Sequence, residues 1–346
     1  MPTVKSFNDS SSVSLAYAIN ANIAAADFVA VPFKYIPYTS EGFTMQKEAK
    51  TSTAIRQSRR TTGSKNTKGS ANGSVNVEFG ANQICLDFLE LALMNDWANV
   101  DDLDLPLGKF LLDGEIKKYM AVEKTVRQGP LATDRLDHER YYGTAINDAT
   151  LEFGDGELIT LALNTISANA DYANALAGAG GLGGSLASAK AVPAAYEIAD
   201  SSNNLANIKL FDDQGALMEV VFSDASLQIQ NNVREQSGLG KQFAAGIGIG
   251  KVAASLSGEI YYLDQTILAA HMTNKRLSAE LTISTAEGTF TIYLPNLMAA
   301  TPTNNAEGEN ADFKTAITLT AEEGLVTIGA KADLPCTIAI EYVPTP

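Results

Sequence analysis

The sequence predicts a mainly β protein built from two tandem β-sandwich domains, each with a short flanking helix and a long loop. Three observations favour this fold class. Runs of alternating polar and apolar residues recur along the chain, a segment near residue 69 resembles one near residue 250, and Gly-containing turns separate the later runs. The 346 residues suffice for two domains, and the 45% hydrophobic content suffices for their cores.

The internal repeat is clearest where a strand leads directly into a helix. When the chain is shifted by 181 positions, Glu78 falls on Glu259 and the surrounding alternation agrees. A short apolar helix follows each strand, after a capping side chain that is Asn82 in the first half and Asp264 in the second. Two unrelated β domains that happen to look alike are the alternative. The shared order of strand, cap, helix and hairpin favours a duplication.

The same order of elements extends to both sides of this repeat. Each half reads as strand, long loop, strand, helix, strand and hairpin. The long loops are predicted at residues 51–70 and 231–250, and the other strands at residues 43–46, 75–79, 118–128, 143–153 and 157–166, then 226–230, 256–260, 277–294, 312–320 and 325–332. Asp155-Gly156 and Glu323-Gly324 are predicted to form the hairpin turns.

The predicted organisation has four parts. Residues 1–39 form an N-terminal arm, residues 40–168 the first domain, residues 169–205 an Ala/Gly-rich linker and residues 206–346 the second domain. The linker contains a G-x-G-x-x-G pattern at residues 178–183. A dinucleotide site needs a buried strand immediately before that pattern, and the residues here are too polar, so the pattern indicates a flexible linker.

Composition excludes several classes of function. The net charge of −15 argues against a chain that clamps nucleic acid through positive charge. The two cysteines, two histidines and single tryptophan provide neither a disulfide framework, nor a His-rich metal site, nor an aromatic membrane girdle. No nucleophile or acid–base constellation stands out, so we expect no enzyme activity and no cofactor. Without a targeting signal or membrane span, we expect a soluble protein made in the cytoplasm.

One short window is strongly basic in this acidic chain. Seven of the 25 basic residues lie between positions 47 and 68, with a single acidic residue among them. They are Lys47, Lys50, Arg56, Arg59, Arg60, Lys65 and Lys68. The window has no aromatic residue for base stacking, so it predicts contact with an acidic copy of the same protein rather than with nucleic acid.

Taken in order, these elements resemble the major tail tube proteins of long-tailed, siphovirus-like bacteriophages, in a tandem-duplicated two-domain form. The resemblance rests on short glycine-based and strand motifs across residues 62–79, 85–93, 119–124 and 143–147, and across residues 231–259. It extends over most of residues 40–340. The family is not enzymatic, so it transfers no catalytic residues.

The resemblance implies a tail-tube-like β-sandwich in each half. Rings of such domains close an inner β-barrel and stack into a tube that carries DNA from the capsid to the cell. The implied partners are other copies of the chain and other phage tail proteins, with double-stranded DNA passing through without specific binding and no membrane. The implied location is the virion tail, after synthesis in the host cytoplasm. Three double chains would form a pseudo-hexameric ring, and six chains with one decorative domain each are the other possibility.

A conduit for DNA should not bind it, so polar and acidic strand faces are the candidates for the lumen. The lumen-facing candidates are Gln46, Asn76, Glu78, Asp148, Thr150, Glu152, Gln228, Gln230, Ser257, Glu259, Thr318, Thr320 and Glu322. The candidates for contact between rings are Arg56, Arg59, Arg60, Lys65 and Lys68, on a loop expected to order only on assembly.

Two other classes of protein are weaker interpretations. A surface or adhesive β protein would need an export signal, which the N-terminal residues do not provide. A β-rich hydrolase would need a clustered catalytic site, and none can be recognised in the sequence.

Overall fold

The computed structural model describes residues 12–29, 31–54, 60, 63–100, 108–127, 135–176, 185–187, 189–206, 208–305 and 312–345. This part of the chain is mainly β, as predicted, with two short α-helices and one 3-10 turn at Ala25–Phe28. Helix α1 spans Gln83–Leu93 and helix α2 spans Thr266–Met272.

The strands of the first half and the link are β1 (Val13–Asn20), β2 (Pro32–Ile36), β3 (Ser40–Glu41), β4 (Thr44–Thr51), β5 (Ser64–Glu78), β6 (Ala98–Asn99), β7 (Lys109–Leu112), β8 (Tyr119–Arg127), β9 (Arg135–Gly154), β10 (Thr160–Leu176) and β11 (Ala189–Ala191). Those of the second half are β12 (Lys209–Phe211), β13 (Leu217–Met218), β14 (Phe222–Gln230), β15 (Arg234–Gln236), β16 (Gly246–Gly248), β17 (Ala253–Tyr261), β18 (Leu277–Thr285), β19 (Gly288–Ala299), β20 (Thr303–Asn305), β21 (Lys314–Ala321), β22 (Gly324–Ile328), β23 (Lys331–Cys336) and β24 (Ala339–Pro344).

The two halves share one order of strand pairing. In the first half, hydrogen bonds join β4–β5–β10–β9–β8–β1–β2, and every pair is antiparallel. In the second half they join β14–β17–β21–β19–β18–β12–β13, again antiparallel throughout. The helix follows the second strand of the order in both halves, α1 after β5 and α2 after β17.

The halves differ in the continuity of two strands. In the first half, β9 and β10 pair with each other along almost their whole lengths. In the second half, the place of β10 is divided between β21 and β24, which pair with different parts of β19. The hairpin β22–β23 is inserted between them. The predicted hairpin turn at Glu323-Gly324 is therefore wrong, because β22 pairs with β23 and not with β21.

The halves are joined directly by a sheet. The second part of β9 pairs with β14 of the second half, with Thr150 opposite Gln228. A continuous antiparallel sheet thus runs β4–β5–β10–β9–β14–β17–β21–β20 across both halves. The buried side chains also form one hydrophobic core that includes Val75, Leu227 and Leu256.

Helix α1 lies in this shared core because its sequence is apolar on almost all sides. Eight of its eleven residues are buried. Its N-terminus is capped as predicted, since the Asn82 side chain accepts hydrogen bonds from the backbone N–H groups of Ile84 and Cys85. The helix packs against β9, β7 and β14, so elements of both halves cover it.

Helix α2 is more exposed than α1. Only Ile267 and Ala270 of its seven residues are buried. The helix begins one residue later than predicted, after Gln265. Asp264 nevertheless accepts a hydrogen bond from the backbone N–H of Thr266 at 2.8 Å.

The N-terminal arm and the linker are more ordered than the sequence predicts. Strand β1 pairs with β8 and β2, so residues 13–36 belong to the first half rather than to an arm. Strand β10 continues to Leu176, well into the predicted linker. Strand β11, near the end of the predicted linker, pairs in parallel with β2. The end of the linker therefore lies against the first half.

Candidate functional site: a polar sheet face and its edges

The continuous sheet has one apolar face and one polar face. Two rows of directly opposed residues cross six strands. The first row is Glu78, Thr160, Glu152, Ser226, Ser257 and Thr318, and the second is Asn76, Ala162, Thr150, Gln228, Ser255 and Thr320. Because opposed residues of paired strands lie on the same side, both rows belong to one surface, which we call the polar face. Intervening residues such as Val77, Leu151 and Leu319 are buried on the other side.

Twelve of the thirteen lumen candidates lie on the polar face. Besides the members of the two rows, Asp148 and Gln230 face each other in a third row, Gln46 lies opposite Ser70, and Glu259 lies opposite Ala316. Glu322 is different, because β21 ends at Ala321. Its carboxylate forms an ion pair with Arg276 at 2.8 Å, at the end of the sheet.

The polar face is acidic. Its carboxylates are those of Glu78, Asp148, Glu152, Asp224 and Glu259. Lys314, opposite Tyr261, adds one positive charge and lies 3.4 Å from the Glu259 carboxylate. The remaining positions in the rows are short uncharged side chains. The carboxylates of such a surface repel phosphate groups.

The basic window forms a hairpin rather than a loop. The predicted loop at residues 51–70 is wrong from Ser64 onward, because β5 begins there and pairs with β4. We call residues 44–51 and 63–72 the basic hairpin. Arg60 and Lys65 are exposed. Lys68 forms an ion pair with Glu235 of the second half at 3.3 Å. Arg56 and Arg59 lie outside the described residues.

The predicted loop at residues 231–250 is also partly ordered, because β15 and β16 pair within it. It contacts the basic hairpin. The backbone N–H of Gly69 donates to the carbonyl of Gln242 at 2.7 Å, and the Phe243 ring lies where a side chain at position 69 would be. The two segments thus support each other within one chain, where the sequence predicts order only on assembly.

Sequence reasoning missed a buried ionic cluster on β8, β9 and the end of the link. Lys190 Nζ lies 2.6 Å from Glu123 Oε1, and the Ser185 hydroxyl and the Leu186 N–H also donate to the Glu123 carboxylate. His138 Nδ1 lies 3.5 Å from the same carboxylate. Burial alone would raise the pKa of Glu123, but these donors and the Lys190 charge outweigh burial and lower it to about 2.

The thiols of the two cysteines and the imidazole of His271 are buried or hydrogen-bonded. Cys85 and Cys336 are buried free thiols, and burial raises their pKa values to about 11 and about 12. His271 Nδ1 lies 2.8 Å from the carbonyl oxygen of Ala299. The described residues hold no group of three or more His, Cys, Asp or Glu side chains placed to bind a metal ion. Neither helix in the described part of the chain is long and apolar enough to cross a membrane.

Comparison with known proteins agrees with this architecture. The family model of phage tail tube proteins matches residues 10–328, which include the continuous sheet, both helices and the basic hairpin. No curated protein matches the chain. The mainly β structure and the family match confirm the resemblance, and the chain belongs to the phage tail tube protein family, whose members are structural proteins of the virion tail.

Proposed function

We propose that three copies of this tail tube protein close into a ring with pseudo-sixfold symmetry and that rings stack into the tube. The common pairing order of the two halves supports this proposal. Each half contributes four strands to the continuous sheet, β4, β5, β10 and β9 from the first and β14, β17, β21 and β20 from the second. A chain with two equivalent sheet segments occupies two of six positions, and three chains then complete the barrel.

The polar face would line the lumen of this barrel. The observation that carries the proposal is the pair of polar rows that cross six strands from both halves without an apolar residue larger than alanine. DNA would pass over uncharged polar side chains and carboxylates, and the carboxylates would repel its phosphates. The lumen candidates identified above, including Glu78 and Glu259, would face the DNA.

Microscopy of the purified protein tests the ring. The expected images show tubes whose end views have six similar domains, and the expected mass per ring is that of three chains. A ring of six chains, each with one half in the barrel wall and one half outside, would contradict the pseudo-sixfold arrangement while leaving the tail tube family intact.

Charge reversal on the polar face tests whether this face lines the lumen. We expect Glu78→Lys with Glu259→Lys to leave tubes intact but to make them retain DNA, because six lysines per ring would face the conduit. Glu115→Lys with Asp333→Lys is the matched control, since both residues are exposed and lie outside the polar rows. Retention is measured as short DNA that co-sediments with tubes at low salt. Equal retention by both variants would contradict the placement of the polar face.

The basic hairpin would contact the next ring of the stack. Lys65 is exposed on it and Arg60 is exposed between its two strands in sequence, on a protein whose net charge is −15, so an acidic surface of another copy is the favoured partner. Arg56 and Arg59 are neighbouring candidates by sequence, and Lys68 is already paired within the chain.

Tube length tests this contact. We expect Arg60→Glu with Lys65→Glu to give single rings or short stacks, measured by negative-stain microscopy. Lys109→Glu with Lys117→Glu changes the charge equally at exposed sites away from the hairpin and should leave tube length unchanged. Tubes of normal length from the hairpin variant would contradict this role.

A further inference from the structure

The junction inside the chain has a defined geometry. The second part of β9 has β10 on one side and β14 on the other, and Glu152 lies opposite Thr160 in the first pair and opposite Ser226 in the second. The edge of the first half's sheet is thereby covered by the first strand of the second half's sheet. No free edge is left between the halves.

The corresponding edge of the second half is open. In the second half the place of β9 is divided between β19 and β20, which both pair with β21. Thr303 of β20 lies opposite Ala316. Among the described residues, the only strand whose residues pair with β20 is β21. The chain therefore ends its continuous sheet on a strand whose counterpart in the first half is covered.

The helix beside this edge is open as well. Helix α1 is covered partly by β14, whereas α2 leaves Met272 71% exposed. Nearby, Leu263 is 57% and Leu217 65% exposed. Leu217 and Leu263 line a cleft of about 340 Å³ that also includes Asn304 of β20. An apolar surface of this kind next to an unpaired edge is typical of an interface.

The opposite end of the sheet offers the matching strand. Strand β3 pairs with β5, with Ser40 opposite Asn76. In the second half Ser226 of β14 lies opposite Ser257 of β17, and Asn76 and Ser257 are the equivalent residues of the repeat. Ser40 therefore corresponds to Ser226 at the other end of the chain. Within the described residues, β3 pairs with no strand other than β5.

We propose that the contact between neighbouring chains repeats the junction inside the chain: β3 of a second copy pairs antiparallel with β20 and covers the cleft at α2. The register follows from the equivalences. In the first half Glu78 lies opposite Thr160, and Thr160 lies opposite Glu152. In the second half Glu259 lies opposite Ala316, and Ala316 lies opposite Thr303. Because Glu78 and Glu259 are equivalent in the repeat, Thr303 holds the place of Glu152. Glu152 faces Ser226 inside the chain, so Thr303 faces Ser40 of the second copy.

A second copy is the occupant that these two edges favour. The covered junction and the open edge belong to equivalent positions of the same chain, and the two free ends of the sheet are complementary to each other. The inference rests on the proposed ring and adds to it the edges, the register and the role of α2. Closing the sheet in this way joins three chains head to tail and leaves no free edge.

Disulfide cross-linking tests the register. Opposed residues of antiparallel strands have Cα atoms about 4.5–5.5 Å apart, within the range that a disulfide spans. The native thiols of Cys85 and Cys336 are buried, so they do not compete. We expect the Ser40→Cys, Thr303→Cys double variant to give, on oxidation of assembled tubes, a covalent trimer on a denaturing gel. Ser40→Cys with Lys117→Cys, an exposed position outside both edge strands, is the matched control and should stay monomeric.

The outcomes separate the inference from the proposed function. Tubes of the double-cysteine variant without cross-linked chains would overturn the inference and leave the tail tube function intact. Failure of the unmodified protein to form rings or tubes would count against the proposed assembly itself.

A second variant covers the case in which the cysteines disturb assembly. Leu263→Asp with Met272→Asp places charges on the exposed surface at α2, and we expect folded monomers that no longer form rings, with unchanged circular dichroism. Normal tubes from this variant would overturn the role of α2.

Discussion

Lys190 and Glu123 form a buried ion pair that connects the end of the link to the first half of the chain. The Lys190 Nζ lies 2.6 Å from Glu123 Oε1, the Glu123 side chain is fully buried, and the Lys190 side chain is 5% exposed. Lys190 also donates to the hydroxyl of Thr125. The pair lies beside the parallel pairing of β11 with β2.

Removing one partner of this ion pair should lower the free energy of unfolding. We expect Lys190→Met to lower the free energy of unfolding by about 3–5 kcal/mol, because it leaves a buried carboxylate without its countercharge. The Glu123→Gln, Lys190→Met double variant should recover much of that loss. Urea unfolding of the unassembled chain measures both, with Lys117→Met, at an exposed lysine, as the control. A double variant that is less stable than Lys190→Met would contradict this account.

The same cluster should make stability depend on pH in the acid range. The pKa of Glu123 is lowered to about 2 in the folded chain, from an ordinary value near 4.5. A lowered pKa stabilises the folded state above the ordinary value, and this contribution is lost as the pH falls from about 4.5 towards 2. We expect the unmodified chain to lose more stability than Glu123→Gln over this interval. Parallel losses in thermal unfolding at stepped pH would contradict the assignment.

Asn231 should stabilise the junction between the halves. Its buried side-chain amide donates to the carbonyl of Ala92 at 2.8 Å and to the carbonyl of Ile146 at 3.0 Å. We expect Asn231→Ala to lower the free energy of unfolding by about 1–3 kcal/mol, because two buried acceptors lose their donor. Asn231→Asp should cost more, since a carboxylate cannot donate to either carbonyl. Asn72→Ala, at an exposed position on β5, is the control and should have little effect.

The contact between the basic hairpin and the second half can be measured by a double-mutant cycle. A Cβ atom at position 69 would lie 2.6 Å from the Phe243 ring. We expect Gly69→Ala to cost about 1–3 kcal/mol of unfolding free energy in the unmodified chain. The cost should be much smaller in a Phe243→Ala background, where the ring is absent. Equal costs in the two backgrounds would show that the ring is not the obstacle.

The local features of the fold could be predicted from the sequence. Alternation assigned residues such as Val77 to the core and Glu78 to the polar side, because the two faces of a strand follow a period of two. The Asn82 cap was correct, and so was the turn at Gly156, whose φ of 69° favours glycine. These signals lie within a few neighbouring residues, where propensity and capping act.

The long-range pairing could not be predicted in the same way. Nothing in the sequence near Thr150 indicates that its strand pairs with the strand of Gln228. The choice of partner strand depends on the packing of the whole sheet. For the same reason the turn expected at Glu323-Gly324 was wrong. Glu123 follows four apolar residues of its strand, and only the fold reveals that Lys190 neutralises it. The basic window resembled a loop because lysine and glycine are common in loops, although its partner strand is next to it.

The hairpin β22–β23 makes the two halves of the chain distinguishable. It is inserted between β21 and β24, whereas the first half has the uninterrupted strand β10 at this place. In the proposed ring, a rotation by one half-chain would bring this hairpin to a position where the first half has none. Neighbouring rings would then have three equivalent orientations instead of six. A single inserted hairpin per chain would thus restrict the angles at which successive rings can be added during tube growth.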